Sequence, residues 1–191
     1  MRNIIILGVA RAGKSTLARM IKEKYPNYNI INGDCVRNAF EKVLPKEHIN
    51  HTNGNGMVKK FPEFCSKLFE YEIKEHHNHF NYIFESCDIS PIQVKKYFNV
   101  DNTIVLFLGY PKLTVDETIY NYRKYADEND YMVKKTSSEI MKRASMWNLK
   151  SKEIQKECLK YKIKFIDVSY NRSNIFKKLI EELNEDEKFK C

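Results

Sequence analysis

Near its start the chain reads Gly8-Val9-Ala10-Arg11-Ala12-Gly13-Lys14-Ser15, which fits the pattern G-x-x-x-x-G-K-[ST]. The four apolar residues before it, 4–7, have the pattern of a buried strand. The residues after it, 16–22, are good helix formers whose apolar side chains fall on one face. A strand, a glycine-containing loop and a helix in this order are the context in which the pattern builds a phosphate-binding loop. The sequence therefore predicts a nucleoside-triphosphate site here.

The spacing within this loop has a physical basis. Gly8 and Gly13 allow tight turns that point backbone N–H groups inward, toward anionic oxygens, and the following helix adds the positive end of its dipole. Lys14 is placed to reach the β- and γ-phosphates, and the Ser15 hydroxyl is an oxygen ligand suited to Mg²⁺. We therefore expect ATP and Mg²⁺ as cofactors, with the nucleotide bound by Gly8, Ala10, Arg11, Ala12, Gly13, Lys14, Ser15 and Thr16.

The length and composition indicate one domain with its own core. The chain has 191 residues, of which 42% are hydrophobic, and no apolar run approaches the length of a transmembrane span. Its first strand leads directly into the loop, which argues against a cleavable signal peptide. The five cysteines are scattered and contain no C-x-x-C pair, as expected for reduced thiols of a cytoplasmic protein without a membrane partner.

The net charge of +8 raises the question of nucleic acid as a partner. The lysines are spread over predicted helices beside glutamates, and no RNA-binding signature with interleaved aromatic residues is present. A solvated basic surface that suits anionic small molecules is the favoured interpretation, although nucleic acid is not excluded. The aromatic content of 13% leaves a homodimer possible as well.

Apolar runs alternate with helical stretches along the chain, which is typical of a parallel sheet covered on both faces. The fold class predicted is therefore α/β: a three-layer sandwich with a five-stranded parallel sheet and helices on both faces. Strands are expected at 3–7, 28–31, 82–84, 103–108 and 163–168. Helices are expected at 14–24, 36–43, 58–77, 91–98, 115–125, 137–147, 152–161 and 173–183, and three of their starts carry cap signals at Ser90, Thr114 and Thr136.

A second motif, Ile31-Asn32-Gly33-Asp34-Cys35-Val36-Arg37, follows the second predicted strand. With this motif, the phosphate-binding loop and the element order, the chain resembles the small P-loop kinases, which include nucleoside-monophosphate, shikimate, gluconate and adenylylsulfate kinases. The motif is similar to the G-D-x-x-R segment of adenylylsulfate-kinase-like enzymes, where such residues face the acceptor. The resemblance implies a single domain over 1–191 that transfers the γ-phosphoryl group of ATP to a small hydroxyl- or phosphate-bearing acceptor. It also implies an acceptor-binding helical insertion at 38–80 and a lid region at 112–148.

Asp34 and Arg37 are the predicted acceptor-binding residues. An aspartate at the carboxyl end of a strand can orient a hydroxyl group and accept its proton during transfer, which makes Asp34 a catalytic candidate too. Arg37, one helical turn later, could hold an anionic acceptor through a bidentate contact. The alternative is that Asp34 caps the next helix and that Arg37 is a solvated side chain.

Two carboxylates after the third predicted strand are candidate magnesium ligands besides Ser15. In this architecture the strand beside the phosphate-binding loop places an acidic residue near Mg²⁺. Glu85, directly after the apolar run, is the first candidate and Asp88 is the second. The alternative for each is a carboxylate in a turn.

The lid of the related kinases supplies arginines to the transferring phosphoryl group. Here Arg123 and Arg143 flank a polar segment in the predicted lid region, so they complete the catalytic set with Lys14 and Asp34. They do not form an R-x-x-x-R pair, and both could instead be surface arginines. Arg172 follows the last predicted strand, where such kinases place the loop under the nucleotide base, and it is a nucleotide-binding candidate by that position.

Two other function classes stay open at this stage. A polynucleotide or oligonucleotide end kinase is suggested only by the positive charge. A nucleotide-binding NTPase or regulatory protein without a small acceptor would share the same loop. Neither the Asn-Lys-x-Asp guanine signature nor an Asp-x-x-Gly after a strand is present, which argues against a GTPase.

Overall fold

The structure is a computed structural model that describes residues 2–47, 60–76, 79–126, 130 and 132–183. Its strands form one five-stranded sheet with the order β2-β3-β1-β4-β5, in which every neighbouring pair is parallel. The strands are β1 (Asn3–Gly8), β2 (Tyr28–Asn32), β3 (Asn81–Ser86), β4 (Thr103–Gly109) and β5 (Lys164–Asp167). The predicted five-stranded parallel sheet is confirmed.

Helices connect these strands and cover the sheet. They are α1 (Lys14–Lys24), α2 (Gly33–Val43), α3 (Phe61–His76), α4 (Pro91–Tyr97), α5 (Val115–Tyr125), α6 (Ser137–Tyr161) and α7 (Arg172–Glu182), with a short 3₁₀ turn at Pro45–Glu47. Helices α1 and α7 contact each other, whereas α4 contacts both α3 and α6. The α/β fold class predicted from the sequence is therefore confirmed.

Strand β1 lies at the centre of the sheet and of the core. Its residues Ile4, Ile5, Ile6 and Leu7 have no exposed surface, as expected for a strand that is covered on both faces. Its neighbours are β3 on one side and β4 on the other, so the direction of the crossover connections changes at β1. In open parallel sheets this switch point, at the carboxyl ends of the strands, is where ligands bind.

The cap signals read from the sequence are confirmed. The Gln93 side chain accepts a hydrogen bond of 2.8 Å from the Ser90 amide, one residue before α4. Helices α5 and α6 begin with capping boxes in which the Thr114 and Thr136 hydroxyls accept from the amides three residues later.

One predicted break is wrong, because 137–147 and 152–161 belong to a single helix of 25 residues, α6. The polar residues near its middle are buried and hydrogen-bonded. Asn148 donates to the Leu113 carbonyl at 2.9 Å and accepts from the Thr118 hydroxyl at 2.7 Å. Ser151 accepts from the Tyr110 amide at 2.7 Å. These buried hydrogen bonds attach α6 to the segment after β4, and the helix continues through both residues.

The two regions assigned to the acceptor and the lid are partly described. The 38–80 region contains the end of α2 and all of α3, and its residues 48–59 and 77–78 lie outside the described residues. The 112–148 region contains α5 and the first half of α6, without 127–129 and 131. Their roles stay predictions. Within the described ranges, no helix combines the length and the apolar character that a membrane crossing requires.

Candidate active site

The phosphate-binding loop leaves the carboxyl end of β1 in an unusual backbone conformation. Gly8, Arg11 and Gly13 have φ values of 127°, 68° and 90°. A Cβ atom on Gly8 would lie 2.0 Å from the Leu108 carbonyl oxygen, so the close approach of the loop to β4 requires glycine. Repeated positive φ angles are typical of the backbone concavities that bind anions.

Neighbouring elements hold this loop in place. The Tyr110 hydroxyl donates to the Ala10 carbonyl at 2.8 Å, and Arg172 donates to the Arg11 carbonyl at 3.3 Å. The Val9 amide donates to the Leu108 carbonyl at 3.1 Å, while Ala12 is fully buried. The loop therefore has a fixed shape before any ligand binds, which reduces the entropy lost on binding.

Lys14 and Ser15 open helix α1 directly after the loop, and Thr16 lies exposed in the same turn. The first amides of an α-helix have no partner within the helix and are available to an anion. The Lys14 side chain is 7% exposed, and its ammonium group donates to the Val9 carbonyl at 3.0 Å. This contact keeps the charge beside the loop, where a phosphate oxygen can replace the carbonyl.

Glu85, near the end of β3, is a buried carboxylate facing the loop. It is 3% exposed and accepts hydrogen bonds from the Ser15 hydroxyl, at 2.8 Å, and from the Asn32 amide group. Burial raises the pKa of Glu85, and the opposing effects of the Ser15 hydrogen bond and the Lys14 charge are smaller. A hydroxyl oxygen and a carboxylate oxygen this close together match the hard oxygen ligands that Mg²⁺ prefers. Ser15 and Glu85 therefore fit the predicted magnesium site.

The start of α2 differs from the prediction in a way that affects Asp34. The helix begins at Gly33, and its N-cap is Asn32, whose side-chain oxygen accepts from the Cys35 amide at 2.9 Å. Asp34 therefore lies in the first turn and is not the cap. The sequence signal for this N-cap was Asn32 directly before Gly33 and Asp34, because Asn is among the preferred N-cap residues. The Asp34 side chain is 45% exposed and is thus accessible to an acceptor.

Arg37 is buried and paired with two carboxylates, so it is not a solvated side chain. Its Nη1 atom donates to Asp34 Oδ1 at 3.0 Å and also binds Asp88, while Nη2 donates to Asn38 at 3.1 Å. The side chains of Arg37 and Asp88 are 5% and 7% exposed. A bidentate contact of Arg37 with an anionic acceptor would require breaking these bonds. Its role toward the acceptor stays a prediction, and its hydrogen bond orients the Asp34 carboxylate.

The ion pair between Arg37 and Asp88 affects the prediction that Asp88 is a magnesium ligand. Oxygen or sulfur atoms of Asp34, Cys87 and Asp88 lie within 4.8 Å of one another, but the Arg37 guanidinium already supplies the positive charge among them. Burial raises the pKa of the Cys87 thiol to about 12, so it is neutral at pH 7. Glu85 thus faces the loop and Asp88 faces Arg37, which favours Glu85 as the magnesium ligand.

Sequence reasoning missed the group that Arg11 contacts. Its guanidinium makes a bidentate ion pair with Asp130, with 2.7 Å between Nη2 and Oδ1, and lies 5.2 Å from the ring centre of Tyr122. The two charged residues are 119 positions apart, and no local pattern joins them. A positive φ at a non-glycine residue costs on the order of 1 kcal/mol. The hydrogen bonds of Arg172 and Tyr110 to the carbonyls of Arg11 and Ala10 hold the residue in this conformation.

The remaining predicted arginines lie on three different elements. Arg172 opens α7, and its guanidinium is 4.9 Å from the ring centre of Tyr125 in addition to its contact with the loop. Its role beside the nucleotide stays a prediction. Arg123 is exposed near the end of α5, and Arg143 is half-buried in the first half of α6. Their catalytic roles stay predictions.

Comparisons with known proteins find this fold in solved structures of kinases. No protein-family model and no curated protein sequence matches the chain. Solved structures do: a sugar kinase from Janibacter sp. HTCC2649 superposes with a TM-score of 0.63 at 12% identity, over 96% of this chain and 95% of that one. A shikimate kinase from Bacteroides thetaiotaomicron gives 0.57 at 16% identity, over 96% and 99%.

A deoxyadenosine kinase from M. mycoides, solved with bound dATP, is a further match. Its TM-score is 0.51 at 17% identity, over 96% of this chain and 100% of that one. Identities this low show the fold alone. The predicted fold of the small P-loop kinases is confirmed, and no individual member is identified.

Proposed function

We propose that the protein is an ATP-dependent kinase that phosphorylates a hydroxyl group of a small acceptor molecule. The observation that carries this proposal is the joining of three strand ends at one site. The loop after β1 meets Glu85 of β3 through Ser15, and the side chain of Asn32, which ends β2 two residues before Asp34, donates to the same Glu85 oxygen. The fold shared with three kinases supports the same reaction class.

Each group has a distinct part in the transfer. The loop amides and Lys14 bind the β- and γ-phosphate oxygens. Ser15, together with Glu85 directly or through water, would hold Mg²⁺, which would neutralise charge on these oxygens. Asp34 orients the acceptor hydroxyl and accepts its proton. The γ-phosphorus–oxygen bond to the β-phosphate breaks while the bond to the acceptor oxygen forms, and ADP is the other product.

The charges around Asp34 favour an acceptor that is itself uncharged. Three carboxylates lie here (Asp34, Glu85 and Asp88), and the Arg37 guanidinium is engaged by two of them. A carboxylate or phosphate group on the acceptor would meet this negative potential without a free guanidinium among the described residues of α2 and β3. Sugars and nucleosides are therefore favoured over nucleoside monophosphates.

The test is an ADP-release assay with ATP·Mg²⁺ over a panel of acceptors. The panel holds hexoses, deoxynucleosides, shikimate, nucleoside monophosphates and a 5′-hydroxyl oligonucleotide, and Lys14→Ala measures background. We expect the highest rate above background with a neutral hydroxyl compound. Phosphorylation of the oligonucleotide alone would instead support an end kinase. Nucleotide binding without ADP release on any acceptor would support a regulatory binder.

A further inference from the structure

The side chain of Arg11 connects the phosphate-binding loop to the segment between α5 and α6. Both terminal nitrogens bind both carboxylate oxygens of Asp130, in the parallel geometry of a fork-to-fork contact. The Asp130 side chain is 6% exposed, and Arg11 is 31% exposed. Asp130 also accepts from the Met132 amide at 3.0 Å, which holds it facing the loop.

This pairing conflicts with the electrostatic requirement of the loop. A site built to receive a triphosphate disfavours an additional anion beside it, and Asp130 places a carboxylate there. A carboxylate and a phosphate group present the same pair of oxygens to a guanidinium. Asp130 therefore occupies Arg11 in the manner that a phosphate group would.

The backbone of Arg11 supports a role for its side chain in binding. Its φ of 68° is a conformation that glycine adopts without strain. An arginine there places a guanidinium on a loop whose main chain is fixed independently, because Arg172 and Tyr110 bind the carbonyls of Arg11 and Ala10. The side chain can thus change partner while the loop keeps its shape.

On the basis of the proposed function, we infer that Arg11 is a ligand of the nucleotide phosphates and that its ion pair with Asp130 breaks when the nucleotide binds. Exchange of Asp130 for phosphate oxygens moves the guanidinium from this carboxylate to the nucleotide. Arg11 then supplies the positive charge that the resemblance assigned to Arg123 and Arg143 of the lid region. Because Asp130 competes with phosphate, its removal strengthens nucleotide binding.

The experiment measures affinities of the full chain by calorimetry for ATP·Mg²⁺ and for inorganic tripolyphosphate. Relative to the unchanged protein, Asp130→Asn is expected to bind both ligands about threefold to tenfold more tightly, and Arg11→Ala about tenfold more weakly. In the Arg11→Ala background, Asp130→Asn is expected to give no gain in affinity for either ligand. Arg11→Lys keeps the positive charge but loses the two parallel N–H donors of the guanidinium. Its affinities for both ligands should therefore lie between those of Arg11→Ala and the unchanged protein. The matched control is Glu70→Gln, which breaks the exposed Lys67–Glu70 pair on α3 and leaves both affinities unchanged.

Three results would overturn the exchange. The first is weaker or equal binding by Asp130→Asn, and the second is a gain that persists in the Arg11→Ala background. The third is an effect of Arg11→Ala on ATP but not on tripolyphosphate, which would assign Arg11 to the base. If Asp130→Asn unfolds, Asp130→Ser makes the same comparison. Failure of the unchanged protein to bind either ligand would refute the proposed function itself, and that outcome is distinct from the other three.

Discussion

The Ser15 hydroxyl donates a hydrogen bond of 2.8 Å to Glu85 Oε1 and thereby joins the first turn of α1 to the end of β3. The two residues are 70 positions apart, and the parallel pairing of β1 with β3 brings them together. Glu85 is aligned with Ile6 of β1 and with Asn32 of β2, so it lies between the loop and the predicted acceptor side. One carboxylate oxygen therefore contacts both the first turn of α1 and the residue that caps α2.

Glu85→Gln tests the cost of keeping this carboxylate buried. Because burial raises the pKa of Glu85, the folded state favours the protonated form, and the ionised form is destabilising at pH 7. The variant should therefore be more stable without ligands, by on the order of 1 kcal/mol. This advantage should disappear below pH of about 4, where the carboxyl is protonated in both states.

The measurement is urea unfolding from pH 3 to 8, together with ATP titrations with and without Mg²⁺. Loss of the Mg²⁺ dependence in the variant is the second expected result. A variant that is less stable at pH 7 and binds ATP·Mg²⁺ normally would contradict both parts.

Lys14→Ala is expected to abolish ADP release and to weaken ATP binding by tenfold or more, because it removes the buried ammonium group beside the loop. Lys22→Ala, an exposed position on the same helix, is the control and should retain both properties. Full activity of Lys14→Ala would refute the phosphate-binding role of the loop.

Asp34→Asn separates proton transfer from helix capping. The N-cap of α2 is Asn32, the Asp34 side chain is 45% exposed, and Asp88 stays as the buried carboxylate partner of Arg37, so the melting temperature should fall only slightly. The kcat for phosphorylation should fall by about 10² to 10⁴, the usual contribution of a general base, while the Kd of ATP stays the same. Stopped-flow kinetics and calorimetry measure the two quantities. A lower melting temperature with normal kcat would assign Asp34 to structure alone.

Asp88→Asn tests whether this carboxylate is structural. The change leaves the buried Arg37 guanidinium with Asp34 as its remaining carboxylate partner, so the free energy of unfolding should fall by about 3 kcal/mol. Glu70→Gln, which breaks an exposed pair, should change it by less than about 0.5 kcal/mol. If Asp88 were instead a magnesium ligand, the variant would lose Mg²⁺ dependence and keep its stability.

Lys162→Gly addresses the end of α6. Lys162 caps this helix with a φ of 54°, in the left-handed region where glycine is favoured. We expect the variant to be more stable by about 0.5 kcal/mol in urea unfolding, with unchanged kinetics, because the residue is exposed. A decrease in stability would show that the lysine side chain contributes more than its backbone conformation costs.

Much of the fold was predictable because its signals are local. The loop motif and the apolar strands each depend on residues within about ten positions, and helices α1 and α5 have the predicted bounds. The break placed between 147 and 152 failed because Asn148 and Ser151 look solvent-exposed in sequence but bind buried groups from distant residues. Local polarity does not reveal such partners.

The sequence indicated candidate residues for the site but not the contacts they make. Glu85 was proposed from its place after an apolar run, which is a local signal, and its role stays a prediction. The burial of Arg37 against Asp88 and the pairing of Arg11 with Asp130 depend on separations of 51 and 119 positions. These ion pairs alter the roles expected for Arg37 and Arg11, because both guanidinium groups are already paired with carboxylates before a substrate binds.

Helix α6 is a long helix that is anchored near its middle. Its 25 residues give a length of roughly 37 Å at 1.5 Å per residue, and Asn148 and Ser151 fix its central turns to the segment after β4. The helix also packs against β4 and β5. Loss of Asn148 or Ser151 should therefore loosen both the segment that leaves β4 and the β5 edge of the sheet.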